Sequence, residues 1–186
     1  MLSLSELEKG DFILFKNIPC QVLEKKHQHL GRGKAVYKVK FLNLLTQEKF
    51  VFSFRGEEEF EEIEIEEKDF IFLYHHRGKF CFVKKDNPKE RIFFEEKNMG
   101  ALKNFLKPKI EVKLLFFKKK PISIKLPLKV SFKVVETSPP IKGSGADVKT
   151  KKAKIETGYE LKVPLFIKEG DEILINTESG EYVKRL

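Results

Sequence analysis

Gly31-Arg32-Gly33-Lys34 is the stretch whose residue types and spacing best suit it to touch another molecule. Two glycines around one arginine let the backbone turn sharply and leave the guanidinium unshielded at the tip. An arginine stays charged at any physiological pH and offers a fork of donors to phosphate or carbonyl oxygens. Gly-rich tips are also common as plain solvated turns, so the loop alone leaves both readings open. A phosphate-binding loop is excluded, because the GxxxxGK(S/T) spacing is missing and no helix follows.

The other reactive residue types do not converge. His27 and His29 would share one face of a strand and His75-His76 would sit in a turn, without Cys, Asp or Glu at spacing that completes a metal site. Cys20 and Cys81 have no CxxC partner and lie in apolar runs, as buried reduced thiols do. No serine stands in a GxSxG elbow, and no nucleophile has an evident base. Glu57, Glu58, Glu59, Glu61, Glu62, Glu64, Glu66 and Glu67 place eight carboxylates in eleven positions. A solvated run cannot push two pKa values apart as an acid–base pair requires, so its physical effect is to repel phosphate. The sequence points away from an enzyme and calls for no cofactor and no metal.

These residues must be held by strands. Pro19–Lys25 and Ala35–Phe41 flank the arginine as the two sides of a long hairpin, with Tyr37, Val39 and Phe41 on one face and Lys38 and Lys40 on the other. Phe12–Phe15 precedes them, connected through Asn17-Ile18, and Lys49–Phe54 follows. The acidic run reads as an exposed strand or linker. Four or five short strands in the first 66 residues describe a small curved barrel. Asp69–Tyr74, Lys79–Val83, Arg91–Phe94, Ile110–Phe117 and Ile122–Lys125 form a second group, with one short helical piece at Asn98–Leu106 stopped by Pro108. Lys129–Val135, Glu160–Val163, Leu165–Lys168, Glu172–Asn176 and Tyr182–Arg185 form a third, after a junction at Leu126-Pro127. The expected division is 1–66, 67–128 and 129–186, the last two being barrels of the oligonucleotide-binding (OB) type.

The charge is +9 overall and unevenly spread. By segment it is −2 over residues 1–66, +9 over 67–128 and +2 over 129–186. A basic middle without an amphipathic helix suggests nucleic acid rather than a membrane as the anionic partner. No apolar run is long enough to span a bilayer, and Met1–Glu6 lacks the basic start and apolar core of a signal peptide, so a cytoplasmic location is expected.

The last third carries a denser pattern: Lys151-x-Ala153, Gly158, Leu161-x-Val163-Pro164-x-Phe166-Ile167, Gly170-Asp171-x-Ile173-x-Ile175-Asn176-Thr177 and Gly180-x-Tyr182. It resembles the signature of bacterial elongation factor P, within the elongation factor P and initiation factor 5A family. The resemblance extends to Gly31-Arg32-Gly33 with Ala35, to Lys38-x-Lys40-x-x-Asn43-Leu44-Leu45-Thr46, to Phe72-Leu73-Tyr74 and to Pro121-Ile122-Ser123-Ile124-x-Leu126-Pro127.

The resemblance implies an all-β chain of three small barrels, a KOW/SH3-like barrel followed by two OB-fold barrels, in an L-shaped, tRNA-like arrangement. It implies a non-enzymatic translation factor, a monomer, that binds the 70S ribosome between the peptidyl-tRNA and exit sites. Such a factor restarts synthesis at consecutive prolines by positioning peptidyl-tRNA in the P site. Arg32 would reach the peptidyl-transferase centre, supported by Gly31, Gly33 and Lys34. In the third domain Lys142, Gly143, Ser144, Gly145, Lys151, Tyr182 and Arg185 would contact the ribosome or RNA. Many relatives have lysine where Arg32 stands; relatives with arginine receive a rhamnose, but their arm continues Asn-Ser rather than Gly33-Lys34. Arg32 is therefore either bare or the target of a rhamnosyltransferase. Gly143-Ser144-Gly145-Ala146 also replaces the Gly-Asp-Thr stretch with which relatives approach the exit-site codon. Two alternatives stay open: a factor-like paralogue serving other stalling motifs, and a general single-stranded nucleic-acid binder.

Overall fold

The computed structural model describes residues 1–28, 36–55, 57–139 and 150–186, and these form three antiparallel sheets with almost no helix. The first holds β1 (Leu2–Ser3), β2 (Phe12–Phe15), β3 (Ile18–Gln28), β4 (Val36–Asn43), β5 (Lys49–Arg55) and β6 (Glu59–Glu62), in the order β1-β6-β2-β3-β4-β5. Alternation along β4 is as expected: Val39 and Phe41 are buried, Tyr37 half-buried on the same face, and Lys38 exposed. Phe15 closes this core, stacking on Phe41 at 5.2 Å and meeting Phe50, Phe52 and Phe54. The β2–β3 turn is Lys16-Asn17, at φ 52° and 65°, rather than Asn17-Ile18. Two left-handed residues match the strand twist, and Ile18 already pairs with Phe15. Only part of the acidic run is an exposed strand: β6 lies between β1 and β2, exposed except for Phe60, residues 63–65 are in no strand, and Glu66 and Glu67 open the next strand.

The second sheet, ordered β11-β10-β7-β8-β9, contains β7 (Glu66–His76), β8 (Lys79–Lys84), β9 (Asn87–Glu95), β10 (Glu111–Phe117) and β11 (Lys120–Lys125). His75 and His76 end β7 instead of turning, and the turn is Arg77-Gly78 at φ 49° and 71°. The expected helix is two 3₁₀ turns, Glu96–Asn98 and Gly100–Phe105. Gly100 at φ +49° breaks the run, and too few residues remain before Pro108 to repay α-helix nucleation.

The third sheet, ordered β14-β13-β12-β15-β16, contains β12 (Lys129–Thr137), β13 (Thr150–Ile155), β14 (Glu160–Pro164), β15 (Glu172–Asn176) and β16 (Glu181–Arg185). Two sequence expectations fail here. Leu165–Lys168 is not a strand: Ile167 is buried while Phe166 faces solvent in a turn. The strand omitted is β13, whose lysines hide the inward pair Ala153 and Ile155.

The two joints between sheets differ in kind. The second and third sheets share one continuous hydrophobic cluster, running from Phe70 through Phe105 to Phe132 and Ile175. Phe105 contacts Phe132 and Tyr159, with ring centroids 6.2 and 4.9 Å away. Thr157 Oγ1 donates to the Asn104 carbonyl and Lys107 Nζ to the Ser131 carbonyl, each at 2.6 Å. The first sheet has its own cluster around Ile13, Val22 and Phe41, tied to the second by Gln47 Nε2 donating to Ser123 Oγ at 2.6 Å. Ser123 and Thr177 are the buried polar side chains among the described residues, and both serve junctions: Thr177 Oγ1 donates to the Pro127 carbonyl at 2.8 Å.

Candidate nucleic-acid interface

Strands β3 and β4 stay paired out to Gln28 opposite Val36, and β5 continues beside them to Arg55 opposite Val36. A three-stranded stem therefore leads to the segment 29–35, of which Arg32 is the central residue by count. Arg32, Gly31, Gly33 and Lys34 lie outside the described residues, as do Lys142, Gly143, Ser144 and Gly145.

The stem's outward face is basic. Lys26 stands directly opposite Lys38, on the face that also carries Lys40 and Arg55. Like charges facing each other across a ladder are unfavourable, which suits a face that meets an anion. Glu24 offsets one of them, 3.0 Å from Lys26 Nζ. Lys25, on the other face, is structural: its Nζ donates to the carbonyls of Leu4 and Ser5.

In the second sheet, pairing decides which cations are available. Glu67 accepts from Lys113 Nζ at 3.0 Å and Lys125 Nζ at 2.7 Å, and these bonds hold its carboxyl below its ordinary pKa. Glu111 takes Lys85, Glu95 takes Lys97, Glu96 takes Lys103 and His75, and Asp86 and Glu90 share Lys84. Arg77, Lys79, Lys89, Arg91, Lys109, Lys118, Lys119 and Lys120 are left without an ion pair among the described residues. They gather at the β7–β8–β9 side and at the β10–β11 turn, where Lys118 and Lys119 sit at φ 48° and 65°. Nothing in the sequence separates them from their paired neighbours; that depends on strand register.

The third-sheet candidates do not form one cluster. Lys151 is half-buried on β13 opposite Val163. Tyr182 packs against the hydrophobic cluster from β16, opposite Ile175. Arg185 ends β16 with its guanidinium 5.6 Å over the Phe166 ring and 3.7 Å from Asp171. In the sequence Phe166 stands out only as part of the apolar pattern Val163-Pro164-x-Phe166-Ile167.

The chemistry available is electrostatic and hydrogen-bonding: lysines and arginines without ion pairs among the described residues, on strands and their turns, suited to phosphate oxygens. Among the described residues, no group of three or more His, Cys, Asp or Glu could hold a metal, and no helix is long and apolar enough to cross a membrane.

Comparison with known proteins finds three family models in tandem. Residues 3–60 match the elongation factor P KOW-like domain, 65–124 the elongation factor P OB domain, and 130–185 the elongation factor P C-terminal domain. The chain is 34% identical to elongation factor P of Desulfotalea psychrophila over 186 residues, covering 100% of this chain and 99% of that one. It is 36% identical to elongation factor P of Symbiobacterium thermophilum over 185 residues, covering all of both. A solved translation initiation factor eIF-5A family protein from Naegleria fowleri aligns at 12% identity with a TM-score of 0.41, over 67% of this chain and 98% of its own.

Proposed function

The chain belongs to the elongation factor P family, a family of translation factors rather than enzymes, and from that premise we propose that it works on the ribosome as a positioning factor for peptidyl-tRNA. In this reading it occupies the space between the P and E sites and relieves stalling at consecutive prolines. The observation that carries the reading is the three-stranded stem, paired out to Gln28 and Val36 and basic on its outward face, with Arg32 central to the segment that follows.

A guanidinium at that place bridges phosphate and ribose oxygens at the acceptor end of the tRNA, and its charge cannot be lost to a neighbour. Peptide-bond chemistry stays with ribosomal RNA. The factor lowers the barrier by fixing one reactant, since orientation alone is worth several powers of ten in rate. The unpaired lysines and arginines of the second sheet supply the sequence-independent attraction that brings the factor to RNA. The acidic strand β6, on the other side of β2 from the basic stem in the sheet order, turns that part of the first sheet away from phosphate. The factor acts as a cytoplasmic monomer with Arg32 unmodified, and intact-mass measurement of the native protein tests that last point.

The deciding experiment is Arg32→Ala in a polyproline reporter, alongside ribosome pelleting. The expected outcome is loss of rescue while ribosome binding falls only modestly. Unchanged rescue removes Arg32 from the mechanism.

A further inference from the structure

Strand β8 is buried on both of its faces, although it belongs to a sheet with a core on one side. Phe80 and Phe82 point into that core, whereas Cys81 and Val83 are buried apart from it, on the outward face. Their cover comes from the neighbouring strands. Tyr74 on β7 and Phe93 on β9 stand directly opposite Cys81, and Ile71 and Arg91 directly opposite Val83. Residues directly opposite in antiparallel strands point to the same side, so these form one patch. The neighbouring Cys81 thiol holds the Tyr74 phenol above its ordinary pKa, and Arg91 acts on it in the opposite sense. Yet Tyr74 remains 44% exposed and Phe93 53% exposed. Two large rings are thus held on a rigid sheet with much of their surface in water.

The surroundings name the partner. On the same face Glu95 and Glu111 are each held by a lysine, and Asp69, two residues before Ile71 on β7, stands directly opposite Lys113. Arg77, Lys79, Lys89 and Arg91 beside them have no ion pair among the described residues. Apolar rings beside a cluster of cations that outnumbers its carboxylates match a ligand with flat π faces and a phosphate backbone. The position agrees, because β8 and β9 are the second and third strands of a five-stranded OB sheet, the face on which such barrels bind oligonucleotides.

We propose that the outward face of β7–β8–β9 is a stacking platform for unpaired RNA bases, with Tyr74 and Phe93 as the rings and Arg91 as the phosphate or base-plane contact. Paired RNA is excluded, since its bases are already stacked within the helix and its grooves present edges rather than faces. The platform lies on a different domain from Arg32 and does not depend on the role given to that residue.

The test uses the full chain and a short single-stranded oligoadenylate RNA containing one 2-aminopurine, with the corresponding RNA duplex as comparison. The expected result is quenching of 2-aminopurine on binding to the single strand and much weaker binding to the duplex. Phe93→Leu and Tyr74→Leu keep an apolar cover over Cys81 while removing the π face. Each is expected to weaken single-strand binding by about five- to a hundredfold, the range of one lost base–aromatic stack, and to abolish quenching. Replacing Lys118, Lys119 and Lys120 by Gln is expected to weaken binding and flatten its salt dependence while quenching in the bound state persists. Binding without quenching, Leu variants that bind like the parent, equal affinity for duplex, or no RNA binding at all would each overturn the platform. The assay contains no ribosome, so such a failure leaves the reading of Arg32 standing.

Discussion

Gly100→Ala tests whether the arm works by position. Gly100 lies at φ +49°, and a Cβ built on it would stand 2.7 Å from the Cβ of Gln47, the residue that ties the first sheet to Ser123 of the second. Carbon atoms rest about 3.5–4 Å apart, so Gln47 must retreat by roughly 1 Å. Gln47 has little freedom to yield: its own φ is 63°, and its Nε2 also donates to the Leu44 carbonyl at 3.0 Å. From this joint, β4 runs from Asn43 to Val36 towards the arm. At about 3.4 Å per residue that lever is roughly 24 Å long. A displacement of roughly 1 Å across a contact about 10 Å wide tilts the first sheet by about 0.1 radian and carries the end of the lever some 2–3 Å. Misplacement by about 1 Å can cost on the order of a hundredfold in a positioned reaction. The backbone penalty of a left-handed alanine, about 1–2 kcal/mol, comes in addition and must be subtracted. Gly170→Ala does this, since Gly170 also has positive φ, +88°, but no atom within 4 Å of an added Cβ. The assay is polyproline-reporter rescue by each full-length variant, with thermal melts and ribosome pelleting. Gly100→Ala should lose at least about tenfold in rescue while still binding ribosomes, with Gly170→Ala losing no more than its melt accounts for. Equal rescue by the two variants would refute the lever.

Two further outcomes follow from titratable groups. Glu67→Gln removes the acceptor shared by Lys113 and Lys125 and should lower the melting midpoint by a few degrees at neutral pH. Because Glu67 titrates below its ordinary 4.5 when folded, its contribution is complete above that pH and fades as pH falls through the folded value. The melting curves of parent and variant should therefore converge in acid, and a gap that persists there contradicts the assignment. Burial pushes the Cys20 thiol up to about 11. At pH 8 only about one molecule in a thousand carries the thiolate, so peptide mass mapping after iodoacetamide should find Cys20 unmodified until denaturant is added. Rapid native alkylation would show that the first sheet opens far more readily than its packing implies.

Strands whose burial alternates were legible in the sequence, and strands whose burial is uneven were not. Tyr37, Val39 and Phe41 announce β4 because every second side chain meets the core. In β13 only Ala153 and Ile155 are buried, among three lysines, and a run of that composition looks solvated. Leu165–Lys168 misleads in the opposite direction: three of its residues are apolar, but only Ile167 is buried. The Gly31-Arg32-Gly33 motif could be found by residue type alone. The available cations could not, because Lys85 and Lys89 look alike in sequence and only register sets Lys85 beside Glu111. The outward patch was hidden for the same reason, since Tyr74 and Phe93 meet only across β8.

The unequal joints and the unequal charges describe a single design. The second and third sheets share a core, so moving one against the other would expose Phe105, Phe132 and Tyr159 to water, at a cost set by their buried area. The first sheet has a separate core and is tied on by the Gln47–Ser123 bond and the close approach at Gly100, contacts that fix an angle. Such a joint resists small tilts. The rigid pair also carries the cationic surplus, whereas the first sheet shows phosphate a basic stem on one side and the acidic β6 on another. Attraction therefore acts mainly on the pair, and the mixed charge of the first sheet acts on orientation. Under the proposed function, that division puts affinity in the two sheets that share a core and aim in the first sheet.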